Sequence, residues 1–136
     1  MTAMGHCHSL GIAHRDLKPE NVMQVSPADS PLSVAGSRST DDEKPASDVG
    51  LLKICDFGQG ALLSPKSKRM FRKVGTQIFM SPEVAAAETV GHLYSGGYSL
   101  KCDVWSLGAI CYILLCGEQV SSQAMLALST NHPVLD

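Results

Sequence analysis

The chain has 136 residues, 44% of them hydrophobic, with 11 Lys and Arg against 13 Asp and Glu for a formal net charge of −2. That length is enough for one domain with its own core, and the near-neutral charge gives no global attraction to nucleic acid or to an anionic membrane. The first ten residues lack the charged and apolar regions of a secretory leader, and the longest apolar run, 104–116, is broken by Ser106 and Gly108 and is too short to cross a bilayer. Five cysteines (Cys7, Cys55, Cys102, Cys111, Cys116) form an odd set without a CxxC pair. They read as free thiols of a protein in a reducing compartment, cytoplasmic or nuclear. The string His6-Cys7-His8 has no second ligand pair at zinc-site spacing, so no metal site is read there.

Taken in chain order, residues 1–10 have helical character, and Gly11 stops the helix. Short β-like stretches follow at 11–13 and 21–25. Residues 26–50 are rich in Ser, Pro, Asp and Gly without apolar periodicity. Such a stretch buries too little surface to offset its ordering entropy and reads as a disordered insertion. Residues 51–55 form a strand that enters a glycine turn at Gly58. The loop over 59–81 carries Lys66, Lys68, Arg69, Arg72 and Lys73, five of the 11 basic residues. Pro82 suits the first turn of a short helix over 83–88, and 91–99 reads as loop. Ser99 is placed to cap a helix over 100–116 that stops at Gly117. That helix is apolar nearly all round, as expected at the centre of a domain. The remainder, 118–136, is a divergent tail with a short helix at 123–128. No internal repeat is visible.

Chemistry concentrates in four strings. The first is His14-Arg15-Asp16-Leu17-Lys18-Pro19-Glu20-Asn21, and Asp56-Phe57-Gly58 follows at the end of a strand. Gly75-Thr76 with Ser81-Pro82-Glu83 comes next, then Asp103-Val104-Trp105-Ser106-Leu107-Gly108. Each alone is weak. In this order they resemble the catalytic loop, metal-binding turn, activation-segment end and buried helix of the eukaryotic-type serine/threonine protein kinases. The resemblance covers residues 4–117 apart from the insertion. It implies a partial α+β protein-kinase-like fold over 1–117, mostly α in its large lobe with short β-hairpins, and without the small lobe.

The resemblance also implies roles. Asp16 orients or accepts the proton of a protein Ser or Thr hydroxyl, and Lys18 lies near the transferred phosphoryl group. Asn21 and Asp56 hold Mg²⁺, a hard cation that prefers oxygen ligands, for bound ATP. Cys55 lines the floor of the ATP pocket or is a small buried core residue. His14 and Phe57 stack in an apolar spine, Gly58 permits the sharp turn, and Asp103 anchors the catalytic-loop backbone. Thr76 bonds to Asp16 and Lys18, and Glu83 normally pairs with a downstream Arg. Arg15 precedes Asp16 as in kinases switched on by phosphorylation. Phosphate on Ser64 or Ser67 would dock against Arg15 and the basic cluster; otherwise the five cations are a solvated charge run.

Lys18 within Asp-Leu-Lys-Pro-Glu-Asn is the serine/threonine form, and residues 101–117 are most similar to the calcium/calmodulin-dependent and calcium-dependent group. A regulatory protein or calcium-sensing module would lie outside this chain. The glycine-rich loop and the ATP-binding lysine strand of the small lobe have no counterpart here. Two readings follow: part of an active ATP:protein phosphotransferase, or a catalytically inactive kinase-like binding module.

Overall fold

The computed structural model describes residues 2–25, 51–66, 68–88 and 96–120. The insertion over 26–50, Ser67, most of the 91–99 loop and the tail from 121 lie outside the described residues.

Helix α1 spans Ala3–Ser9, with the Thr2 hydroxyl accepting from Gly5 N at 3.3 Å as its N-cap. Gly11 leaves it at φ +74°, a conformation that favours glycine. Strand β1 (Ile12–Ala13) follows at once and pairs antiparallel with β4 (Ala61–Leu62), Ala13 opposite Ala61. Strand β2 (Val22–Val25) pairs antiparallel with β3 (Leu51–Ile54), Val22 opposite Ile54. The ladder runs one step further, with Cys55 N donating to Asn21 O at 3.0 Å.

Helix α2 (Pro82–Ala85) begins with Pro at its first turn and tightens into a 3-10 turn at Ala86–Glu88. Helix α3 spans Lys101–Cys116 and ends at Gly117 with φ +73°. Its start lies one residue later than expected: Leu100 holds the N-cap position, and Ser99 Oγ accepts from Lys101 N at 3.3 Å. Helix ends commonly shift by that much, because several orphan N–H groups compete for one cap.

Two apolar clusters hold the fold. Ala13, Met70, Met80, Val84, Tyr98 and Cys102 form one; Met4, Leu17, Phe79, Ala109 and Ile110 form the other. Helix α3 serves both, because Cys102, Asp103, Ser106, Ala109 and Ile110 recur along one face. Ser106 Oγ donates to Phe79 O at 2.8 Å and so ties the helix to the segment before α2. The expectation of an all-round buried helix needs correcting. Val104, Tyr112, Leu114 and Leu115 are exposed, since no described element covers that side. No helix among the described residues is long and apolar enough to cross a membrane.

Candidate active site

The site is assembled from α3 outward. Asp103 is fully buried. Its Oδ2 accepts from His14 N at 2.9 Å and lies 2.8 Å from His8 Nε2, and its Oδ1 accepts from Arg15 N at 2.8 Å. One carboxylate thereby satisfies two consecutive backbone N–H groups. That arrangement fits the sharp turn of the loop, where Arg15 sits at φ 68°, a left-handed conformation costly for a residue with a side chain.

His14 points the other way. Its Nε2 reaches Cys55 O at 2.9 Å, Asp16 N donates to its Nδ1 at 3.3 Å, and its ring lies 4.6 Å from that of Phe57. The 14–21 loop and the Asp56 turn are joined through this ring. Cys55 itself is half-buried, its Sγ 3.5 Å from Asn21 O. Position 58 corrects an expectation. The left-handed residue of the turn is Asp56, at φ 60°, whose Oδ1 accepts from Gly58 N at 3.2 Å. Gly58 keeps space for that oxygen, since a Cβ there would lie 3.0 Å from it.

The Asp16 carboxylate is held at both oxygens. Oδ1 accepts from Thr76 N at 2.9 Å and from Thr76 Oγ1 at 2.7 Å, while Oδ2 accepts from Lys18 Nζ at 3.0 Å. Lys18 Nζ also donates to Thr76 Oγ1 at 3.2 Å. Burial works to raise the Asp16 carboxyl, but the Thr76 hydroxyl, the Lys18 ammonium and the Thr76 N–H together hold it below its ordinary value. The hydrogen bond to Asp16 raises Lys18 in turn, against desolvation, with the Asp16, Glu20 and Asp56 charges adding. Both groups are thus charged at neutral pH.

Gly75 makes the approach of Thr76 possible. A Cβ at this position would lie 2.4 Å from Arg15 O, and φ is +110°. Asn21 is buried, and its Nδ2 donates to Asp16 O at 2.8 Å, while its amide oxygen accepts from none of the described residues. The β2–β3 register puts Asn21 beside Cys55 and hence next to Asp56, an exposed carboxylate. An amide oxygen and a carboxylate fit a hard divalent cation, and Mg²⁺ usually takes only one or two protein ligands, completed by water and phosphate oxygens.

The guanidinium of Arg15 is already engaged. Nε donates to Gln59 O at 2.6 Å, Nη1 to the Tyr98 hydroxyl at 3.3 Å and Nη2 to Gly60 O at 3.4 Å. Tyr98, nearly fully buried, donates its own hydroxyl to Arg72 O, and Met70 and Tyr98 exchange backbone bonds at 2.8 Å. Ser64 is exposed, and its Oγ accepts from Lys66 N at 3.3 Å. Glu83 is exposed and outside the ion pairs of the described residues.

His8 and Tyr98 are site residues that sequence reasoning missed. His8 lay in a string weighed only for metal. Tyr98, an aromatic residue between a glycine pair and a helix, was the one available signal for the second.

A carboxylate is thus fixed beside a lysine, with the Asn21 amide and the Asp56 carboxylate brought near it by the β2–β3 ladder. The chain belongs to the protein kinase domain family, whose model matches residues 1–132. It is 35% identical over 119 residues to CDPK-related kinase 3 of Arabidopsis thaliana, covering 88% of this chain and 15% of that protein. Calcium-dependent protein kinase 5 of Plasmodium berghei is 35% identical over 117 residues, covering 85% of this chain and 16% of its own length. Serine/threonine-protein kinase RCK2 of Saccharomyces cerevisiae is 32% identical over 128 residues, covering 85% and 19%. The chain therefore spans less than a fifth of the length of these relatives.

Proposed function

We propose that these residues form the catalytic-loop and metal-binding half of an enzyme that transfers phosphate from ATP to Ser or Thr hydroxyls of proteins. The observation that carries this reading is the Asp16 carboxylate, ionised and oriented by Thr76 and Lys18. A substrate hydroxyl brought to Asp16 gives up its proton to the carboxylate as its oxygen bonds to the γ-phosphorus, and the bond from that phosphorus to the ADP oxygen breaks. Lys18 places a positive charge beside the oxygens of the moving group. Asn21 and Asp56 would hold Mg²⁺, which would supply the neutralisation of phosphate charge that the reaction needs. Thr76 keeps the carboxylate aimed, and Asp103 keeps the loop that carries it in place.

Similarity to proteins named as calcium-dependent kinases supports control by a calcium-sensing module or partner. The odd set of five cysteines without a CxxC pair supports a reducing, intracellular setting. Phosphate on Ser64 or Ser67 would act on this site by ordering the basic loop, and to reach Arg15 it would have to displace the Gln59, Gly60 and Tyr98 oxygens.

The test is Mg-ATP binding and phosphate transfer by the full-length protein beside Asp56→Asn. Binding that weakens at least about tenfold in the variant, with transfer lost, is expected. Equal binding and transfer in both would remove Asp56 from the metal site. Binding without transfer to any protein Ser or Thr would leave a kinase-like binding module.

A further inference from the structure

Residues 57–82 contain five basic residues, Lys66, Lys68, Arg69, Arg72 and Lys73, and neither Asp nor Glu, in a chain whose net charge is −2. Positive charge is therefore gathered on the one segment that runs past Asp16. Lys66, Lys68 and Arg72 are exposed and Arg69 is half-buried. None of these four cations takes part in the Lys18–Asp16 or the His8–Asp103 ion pair.

Anchors on both sides fix where this charge sits. Met70 is bridged to Tyr98 by two backbone bonds of 2.8 Å, and the buried Tyr98 hydroxyl holds Arg72 O. Downstream, Thr76 is bonded to Asp16 through both its N–H and its hydroxyl. Arg72 thus stands between two fixed points, not on a free loop. It lies four positions before Thr76, so the two α-carbons are within about 14 Å. An extended peptide advances about 3.3 Å per residue, which brings its side chains near the acceptor into the range of these cations. Arg15 does not compete for such a group, because its fork is engaged by Gln59, Gly60 and Tyr98 oxygens.

We propose that Arg72, with Lys68 and Arg69, selects protein substrates that carry anionic side chains, carboxylate or phosphoryl, within about four residues of the acceptor hydroxyl. This rests on the reading of Asp16 as the site that receives that hydroxyl. Because the cations are mostly exposed, the selection acts through encounter and KM and weakens with salt.

Phosphate transfer by the full-length protein is measured on three peptides that share one Ser acceptor. Their flanks are neutral, glutamate-rich, or carry a phosphoserine. On at least one anionic peptide kcat/KM is expected to exceed the neutral value by about fivefold or more, equivalent to about 1 kcal/mol. The gain should lie in KM, shrink as ionic strength approaches about 0.5 M, vanish in Arg72→Glu and return in Arg72→Lys. A smaller preference on both anionic peptides, or one unchanged in Arg72→Glu, overturns the proposal.

Fluorescence anisotropy of the same labelled peptides separates this from the kinase reading. Preferential binding of an anionic peptide without transfer to any of the three would sink the kinase reading and uphold the anion-selective surface. Equal binding of all three overturns the selection whatever the transfer. Tighter binding of a random-sequence DNA duplex than of either anionic peptide would make the surface a nucleic-acid contact and overturn it too.

Discussion

Helix α3 carries two regions that its composition does not distinguish. At its N-terminal end, Asp103 is fully buried and organises His8, His14 and Arg15 through bonds of 2.8–2.9 Å. At its C-terminal end, Leu114 and Leu115 are 75% and 86% exposed, although they are the more apolar residues. The difference shows that this site is fixed by a few directional polar contacts reaching across the chain. Ala109 and Ile110 pack with Leu17 of the 14–21 loop, whereas Leu114 and Leu115, without a described partner, take no part in holding the site. Substitutions at the two ends should therefore behave in opposite ways.

The largest effect is expected at Asp103. Asp103→Ala leaves the N–H groups of His14 and Arg15 without acceptors in a buried setting, at a cost of about 3 kcal/mol or more. Denaturant unfolding of the full-length protein would show it, along with loss of transfer. Unchanged stability would mean the loop is held by other contacts. Gly75→Ala comes next, because its Cβ would meet Arg15 O and its φ is unsuited to a side chain. About 2 kcal/mol is expected, with transfer falling more than stability, since the displaced residue is the neighbour of Thr76.

Thr76→Val removes a hydroxyl from the Asp16 carboxylate, at about 1–2 kcal/mol; Thr76→Ser should restore most of it. The pH dependence has a definite sign. Asp16 is held below the ordinary value of 3.8 in the folded state. Its contribution is therefore fully present above that value and lost as pH falls through the lower, folded one. In Thr76→Val the Asp16 carboxyl rises, so both the acid unfolding midpoint and the acid limb of kcat/KM should move to higher pH. An unmoved acid limb would detach Thr76 from Asp16.

The smallest effect on stability is expected at the exposed end. The Leu114→Ser, Leu115→Ser pair should change the stability of the 136-residue chain by no more than about 0.5 kcal/mol while reducing its self-association in sedimentation, since exposed apolar surface drives association. A large loss of stability would mean that these leucines are covered.

Much of the site was legible because its chemistry is local. Asp16, Lys18 and Asn21 lie within one eight-residue string, and β stretches at 21–25 and 51–55 were both readable, though it is the structure that pairs them and brings Asp56 to Asn21. The helices near Pro82 and Gly117 were marked by the residues that start and stop them. What local pattern could not show was pairing across the chain. His8 meets Asp103 across 95 positions and Arg15 meets Tyr98 across 83. No periodicity encodes either contact. The exposed side of α3 was misread for a related reason, since composition reports that a face is apolar but not whether anything covers it.

Asp16 offers the most direct test. Phosphate transfer to a Ser peptide would be compared between the full-length protein and Asp16→Asn, which keeps the shape and can still accept from Thr76. The geometry predicts a fall in kcat of about 10²-fold or more, with ATP binding retained. Equal kcat in the two proteins would show that the proton of the substrate hydroxyl does not go to Asp16, and would contradict the role on which the site has been built.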